Sequence, residues 1–173
     1  MNDNTDLIKA LRDIPDFPKP GIIFKDITPV LADSALFAKV IYGLAESCKG
    51  KEITKVVGIE SRGFIFGAAL AYALGVGFIP ARKKGKLPYK TISASFALEY
   101  GTDTIEMHED ALTSADKVVI VDDLLATGGT ANAAIELVRR LGAEVKLCAF
   151  VCELGFLNGG ERIKSSYKSL LHL

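Results

Sequence analysis

Val118-Val119-Ile120-Val121-Asp122-Asp123-Leu124-Leu125-Ala126-Thr127-Gly128-Gly129-Thr130 is the stretch on which the reading of this chain turns. Four consecutive β-branched apolar residues predict a parallel strand covered on both faces, since a strand with no solvent face needs no polar alternation. The strand is expected to stop at the adjacent carboxylates of Asp122 and Asp123. A small, Gly-rich segment follows. From Ala131 to Leu141 the apolar residues Ala131, Ala134, Ile135, Val138 and Leu141 recur at helical spacing. Gly142 suits the C′ position of that helix, and Arg139 and Arg140 suit its last turn. Backbone N–H groups at such a strand–loop–helix junction form, with the helix dipole, an anion site. Glycines let the backbone approach a phosphate closely, and Thr127 and Thr130 add hydroxyl donors.

Two familiar phosphate motifs do not fit. The Walker pattern needs a Lys directly after its second Gly, and Gly129 is followed by Thr130. The dinucleotide fingerprint has a three-Gly spacing that is absent here, and no acidic pair ahead of it. A loop suited to one terminal phosphate, beside carboxylates suited to vicinal hydroxyls, suggests a phosphorylated sugar. The plainer alternative is an ordinary βα turn whose acids are merely solvated.

Outward from this unit, Lys55 to Ile59 predicts a short apolar strand that ends in Glu60-Ser61-Arg62-Gly63, followed by a helix carrying Phe64, Ala68, Leu70 and Ala71. A polar tetrad there lies at the carboxyl end of a strand, where open α/β sheets bind ligands. Arg62 could take a phosphate bidentately, or be an ordinary surface Arg. Val76 to Pro80 reads as a short buried strand, and the dense basic cluster Arg82-Lys83-Lys84-Gly85-Lys86 follows it, facing the same sheet edge. Lys90 to Phe96 and Thr104 to Met107 predict a two-stranded excursion, with Glu99-Tyr100-Gly101 between them. Glu144 to Leu154 predicts another buried strand, and Ser166 to His172 a terminal strand or arm. On the N-terminal side, Asp6 to Arg12 predicts a short helix. Prolines at 15, 18, 20 and 29 exclude a regular helix or central strand over Ile14 to Pro29. That segment is either an arm packed on the core or a lid presenting backbone groups and Phe24 to a flat ligand. Ser34 to Cys48 predicts an amphipathic helix, N-capped by Asp33 or Ser34. Alternating β and α elements imply an α/β fold, a mostly parallel sheet with helices on both faces.

Composition sets bounds on function. The 173 residues predict one domain, and 49% hydrophobic with 24% charged residues is a globular balance. Equal numbers of basic and acidic residues, 21 of each, argue against broad nucleic-acid binding. Cys48, Cys148 and Cys152 lack metal spacing and read as buried free thiols in a reducing compartment. Met1 to Asp6 lacks the pattern of a secretory signal. Gly63 to Ala81 is uncharged and approaches the ~20 residues of a membrane span, but Gly75, Gly77 and Pro80 interrupt it. A soluble, cytoplasmic protein with no membrane partner is expected.

Val119 to Thr130 resembles the phosphoribosyl pyrophosphate (PRPP) motif of the type I phosphoribosyltransferases. The likeness covers nearly the whole chain and is to the family's adenine-using branch. It includes Pro15-Asp16-Phe17-Pro18-Lys19-Pro20-Gly21, Phe24-Lys25-Asp26-Ile27-Thr28-Pro29, Glu60-Ser61-Arg62-Gly63-Phe64, Arg82-Lys83 with Gly85-Lys86-Leu87-Pro88, and Ser95-Phe96-Ala97-Leu98-Glu99-Tyr100-Gly101. The resemblance implies the type I phosphoribosyltransferase fold over a single domain, 1–173, with a small N-terminal hood over about 1–33 and a flexible catalytic loop. It implies a purine-salvage transferase that joins adenine to PRPP, giving AMP and pyrophosphate with Mg²⁺, and that works as a homodimer.

The same resemblance implies the site. Ala126, Thr127, Gly128, Gly129 and Thr130 would hold the 5′-phosphate, and Asp122 and Asp123 would engage the ribose hydroxyls or nearby groups. Ser61 and Arg62, with a cis peptide often ahead of the Ser, would bind pyrophosphate together with Arg82, Lys83, Lys86 and Tyr100. The backbone at Ile23 and Lys25 would read the adenine edge, with Phe24 and Leu154 on its faces. Glu99 would assist proton movement at the purine from a mobile loop. No direct protein ligand to Mg²⁺ is assigned; the ion would be bound through PRPP oxygens and water. Two positions depart from common family choices: Lys25 often corresponds to Arg and Glu60 to Asp, which leaves the reach of Glu60 to metal or pyrophosphate open. The rivals are a phosphoribosyltransferase for hypoxanthine, guanine, xanthine or orotate, and a PRPP-sensing regulator without chemistry. The Phe24 segment and Glu99 favour the adenine enzyme.

Overall fold

Parallel pairing dominates the sheet that the apolar runs predict. The computed structural model describes residues 4–98 and 101–173, and the chain divides into two units after Gly43. The smaller unit holds α1 (Thr5–Ala10), β1 (Arg12–Pro15), β2 (Ile23–Asp26), α2 (Thr28–Ala32) and the start of α3 (Ser34–Cys48). β1 and β2 pair antiparallel as a two-stranded ribbon, Ile14 opposite Phe24 and Asp13 opposite Lys25. The Pro-rich segment thus enters no central strand. Pro18 and Pro20 lie between the two strands, and Pro29 stands in the first turn of α2, where a missing N–H costs no bond. Across the ribbon Lys25 Nζ meets Asp13 Oδ1 at 2.6 Å, and the Phe17 ring stands edge-on to Phe24, centroids 5.2 Å apart. Asp33 is the cap of α3: its Oδ1 accepts the N–H groups of Ala35 and Leu36.

The larger unit contains β3 (Lys55–Ile59), α4 (Gly63–Leu74), β4 (Gly77–Lys83), β5 (Thr91–Leu98), β6 (Gly101–His108), β7 (Lys117–Leu125), α5 (Gly129–Arg140), β8 (Glu144–Glu153) and β9 (Tyr167–His172). One sheet runs β5-β6-β4-β3-β7-β8-β9, with β4, β3, β7, β8 and β9 mutually parallel. β7 is its axis, with Val118 to Val121 fully buried. Ile59, Ile120, Leu137 and Phe150 belong to one core cluster.

Several expectations need correction. β7 does not stop at the acidic pair; it runs on to Leu125, because Asp122, Leu124 and Leu125 still find partners in β8 at Phe150, Cys152 and Glu153. α5 begins at Gly129, two residues early, so Gly129 and Thr130 form its first turn. Arg82 and Lys83 are strand residues, since β4 extends to Lys83. The β5–β6 hairpin is no separate excursion. β6 pairs antiparallel with β4, Arg82 opposite Glu106, and makes the hairpin one edge of the main sheet. Leu154 falls one residue past β8 and caps a 3₁₀ turn, Gly155–Leu157.

All three cysteines are buried and none joins a disulfide, and burial pushes the Cys48 thiol up to about 11 and that of Cys148 to about 12. Among the described residues no helix is long and apolar enough to cross a membrane.

Candidate active site

Strand order places the site. The β3–α4–β4 crossover steps one way along the sheet and β7–α5–β8 steps the other. With right-handed crossovers, α4 and α5 therefore cover opposite faces, and β3 and β7 flank the switch point. Ligands bind in that crevice, outside the carboxyl ends of the strands. The chain leaves β3 as Glu60-Ser61-Arg62, with the Glu60–Ser61 peptide cis, and leaves β7 as Ala126-Thr127-Gly128. A cleft of about 350 Å³ opens here, walled by Ser61 and Arg62 on one side and by Asp122, Asp123 and Thr130 on the other. Lys83 and Asp103 also line it.

Beside it lies a hollow of about 70 Å³ formed by Asp122 and the run Ala126 to Ala131. Gly128 caps α5 with φ +82°, a left-handed conformation that glycine adopts without a Cβ penalty. The amino terminus of α5 thus opens on the hollow, where unpaired N–H groups and the helix dipole favour an anion.

The acids are held unequally. Asp123 is only 4% exposed, and Arg62 Nε meets its Oδ2 at 2.9 Å. Burial raises the Asp123 carboxyl, and the Arg62 charge opposes that rise. Asp122 is pushed well above the ordinary carboxylate range, first by burial and next by the charge of Asp123. Its Oδ1 accepts the Asp123 N–H at 2.9 Å. α4 begins tightly against this pair: a Cβ on Gly63 would lie 2.7 Å from the Val121 carbonyl oxygen and 2.9 Å from Asp122 Oδ1.

Glu60 has a definite partner. Arg82 donates Nε to its Oε2 and Nη2 to its Oε1, each at 3.0 Å, and the Lys83 N–H adds a third bond at 3.1 Å. This clamp holds Glu60 below the usual carboxylate range despite its partial burial. Arg82 Nη1 also donates to the Lys86 carbonyl at 3.0 Å. The guanidinium therefore braces the basic turn rather than standing open in the cleft. Buried Glu106 accepts the Gly85 N–H at 2.9 Å from the other side.

Of the residues singled out in the sequence, Ser61, Arg62, Lys83, Asp122, Asp123 and Thr130 share the cleft, and Ala126 to Gly129 line the adjoining hollow. Ile23, Phe24 and Lys25 lie on β2 of the smaller unit. Glu99 and Tyr100 lie outside the described residues. No local sequence pattern marks Asp103 or Glu106. Asp103 stands opposite Phe96 in the β5–β6 register and its Oδ2 is 3.5 Å from Lys83 Nζ; only the attachment of that hairpin to β4 shows that it faces the site.

Fold and site together define a sugar-phosphate-binding α/β domain. Residues 27–171 match the phosphoribosyl transferase domain family. An adenine phosphoribosyltransferase of Syntrophotalea carbinolica is 57% identical over 158 residues, covering 91% of this chain and 92% of that one. The crystal structure of the Thermoanaerobacter pseudethanolicus adenine phosphoribosyltransferase superposes with a TM-score of 0.95 at 49% identity, over 98% of this chain and 99% of that one. The Saccharomyces cerevisiae enzyme, crystallised with an imino-altritol bisphosphate and adenine, gives 0.91 at 44% identity, over 96% and 97%. The chain belongs to the phosphoribosyltransferase family, among its adenine phosphoribosyltransferases.

Proposed function

We propose that this chain transfers the 5-phosphoribosyl group of PRPP to adenine, yielding AMP and pyrophosphate in purine salvage. The observation that carries this reading is the Ala126–Thr130 loop at the α5 terminus, set beside Asp122 and Asp123 at the sheet's switch point. The loop's N–H groups and threonine hydroxyls bind the 5′-phosphate, and the acidic pair engages the ribose hydroxyls. Ser61, Arg62 and Lys83 face the pyrophosphate, with Lys86 and Tyr100 as further contacts. Arg82 serves there through the turn it braces.

In the reaction the C1′–O bond to pyrophosphate breaks and its electron pair leaves with the pyrophosphate. Adenine N9 bonds to C1′ and loses its proton. The ribosyl centre gains cationic character while charge builds on the leaving group, so cationic side chains aimed at that group stabilise the transition state. Glu99 moves the proton at the purine. Ile23 and Lys25 read the adenine edge through their main chains, with Phe24 and Leu154 against its faces. The Lys25 ammonium already pairs with Asp13, which suits a backbone role.

Among the described residues no three metal-ligating side chains cluster. The donor set, two adjacent carboxylates with one paired to Arg62, suits a cation that arrives on PRPP and keeps water and substrate oxygens as its main ligands. Bound so, Mg²⁺ supplies positive charge to the departing pyrophosphate.

The reading covers 1–173 as one phosphoribosyltransferase domain, in a homodimer and in the cytoplasm. Three cysteines outside any disulfide support the reducing compartment, and the uncharged outer face of α4 supports the dimer. Purified protein supplied with PRPP, Mg²⁺ and one purine at a time tests the function. Adenine offers an amino donor beside a ring acceptor and hypoxanthine reverses that pattern, so fixed backbone partners should prefer adenine by ~10⁴-fold in kcat/KM. Comparable IMP formation from hypoxanthine would overturn the adenine assignment; no nucleotide from any base would overturn the enzyme.

A further inference from the structure

Asn132 stands one turn past the Gly128 cap, and its N–H closes onto the Gly128 carbonyl at 3.0 Å. Its side-chain amide bonds away from its own helix. Nδ2 donates to the Arg162 carbonyl at 2.9 Å, and Oδ1 accepts the Lys164 N–H at 3.0 Å, 30 and 32 residues downstream. One side chain thus clasps the β8–β9 connection at two points, a pairing that needs a donor and an acceptor on the same short group. Arg139 Nη2 braces the same connection further along α5, at the Lys164 carbonyl, 2.8 Å.

The clasped segment backs the phosphate loop. Gly159 lies so close that a Cβ there would run into the Ala126 carbonyl. A Cβ on Gly128 would come within 3.0 Å of the Gly159 oxygen and 3.3 Å of Ile163 Cδ1. Main chain rests directly on main chain across this seam, so the place of residues 159–164 determines the place of Ala126 to Gly128. The Arg162 N–H closes the supporting turn onto the Gly159 carbonyl at 3.0 Å.

We propose that Asn132 is a positioning residue for the 5′-phosphate site. It fastens the 159–164 segment to α5, and that segment holds the loop in the shape that presents its N–H groups to a phosphate monoester. The proposal rests on the reading of Ala126–Thr130 as the 5′-phosphate loop. Preorganised donors lose much of their effect when displaced by a fraction of an ångström to an ångström, so the clasp acts on one subsite and leaves the other alone.

Calorimetric titration with AMP, and separately with Mg²⁺-pyrophosphate, tests this on wild-type protein, Asn132→Ala, Gly159→Ala and the double variant, with circular dichroism as the check on folding. Asn132→Ala should weaken AMP binding about tenfold and leave pyrophosphate binding within about twofold, and the KM for PRPP should rise while that for adenine holds. Gly159→Ala perturbs the seam from the other side and should show the same split, which keeps the test alive should Asn132→Ala fold poorly. Because both act through one segment, the double variant should lose less than the sum of the two. Unchanged AMP affinity in folded Asn132→Ala, equal losses for AMP and pyrophosphate, or full additivity would each overturn the proposal. Thr127→Val separates the underlying reading. Unchanged AMP binding in that variant overturns the loop's assignment and the proposal with it, whereas weakened binding there beside an unaffected Asn132→Ala overturns the proposal alone.

Discussion

Arg62 reaches Asp123 at 2.9 Å, and Asp122 is left with burial and a like charge as its chief influences. A carboxyl so placed binds its proton more tightly in the native protein than in the unfolded chain. Its contribution to stability is then full below the ordinary value of 3.8 and is lost as pH rises through the elevated native value. Asp122→Asn keeps the acceptor for the Asp123 N–H and removes the ionisation. Its melting temperature relative to wild type should therefore climb as pH rises above the ordinary value of 3.8. The same variant should lose PRPP affinity by roughly 1.5–3 kcal/mol, the worth of a charge-assisted bond. Thermal melts across pH, paired with PRPP titrations, check both halves. A pH-independent difference in melting temperature would remove Asp122 from the buried-acid role.

At the scale of elements, the start of α4 packs tightly on β7 beside the cleft. Gly63→Ala would drive a Cβ to 2.7 Å from a carbonyl oxygen of β7 and 2.9 Å from Asp122 Oδ1. Backbone must yield, so the variant should lose about 1–3 kcal/mol in urea denaturation and bind PRPP more weakly; wild-type stability would show that the helix end is free to shift. β7 and α5 were legible because each declares itself locally, β7 by an unbroken β-branched run and α5 by its apolar spacing. The β1–β2 ribbon was not, since Pro15 and the Pro-rich turn mask it. Nor was the docking of the β5–β6 hairpin on β4, which depends on partners such as Arg82 and Glu106 far apart in sequence. The site divides the same way. The Ala126–Thr130 loop and the acidic pair sit within one contiguous run. The Glu60–Arg82 clamp, which makes Arg82 a brace, spans 22 residues and follows from no local pattern.

At the scale of the whole molecule, α4 is the element that bears on the proposed homodimer. Gly63-Phe64-Ile65-Phe66-Gly67-Ala68-Ala69-Leu70-Ala71-Tyr72-Ala73-Leu74 carries no charge, and a helix apolar all round is ordinarily covered all round. Phe66 and Leu70 are buried on the sheet, yet Tyr72 is 90% exposed and Ile65 41%. An uncharged outer face of this kind suits the association surface of the proposed homodimer. In a two-fold dimer the same patch serves both protomers, so one helix face can form the centre of an isologous contact. A stable dimer buries about 800 Å² per partner, so α4 would be the apolar centre and neighbouring loops the rim. Ile65→Lys with Tyr72→Glu places charge on both turns of that face without touching its buried side. The double variant should sediment as a monomer at micromolar protein while keeping its circular dichroism spectrum, and wild type should sediment as a dimer. Because α4 starts at Gly63, directly after Arg62, loosening its outer face should also raise the KM for PRPP. A double variant that still sediments as the wild-type dimer would move the interface to another face, and a monomeric wild type would end the dimer reading.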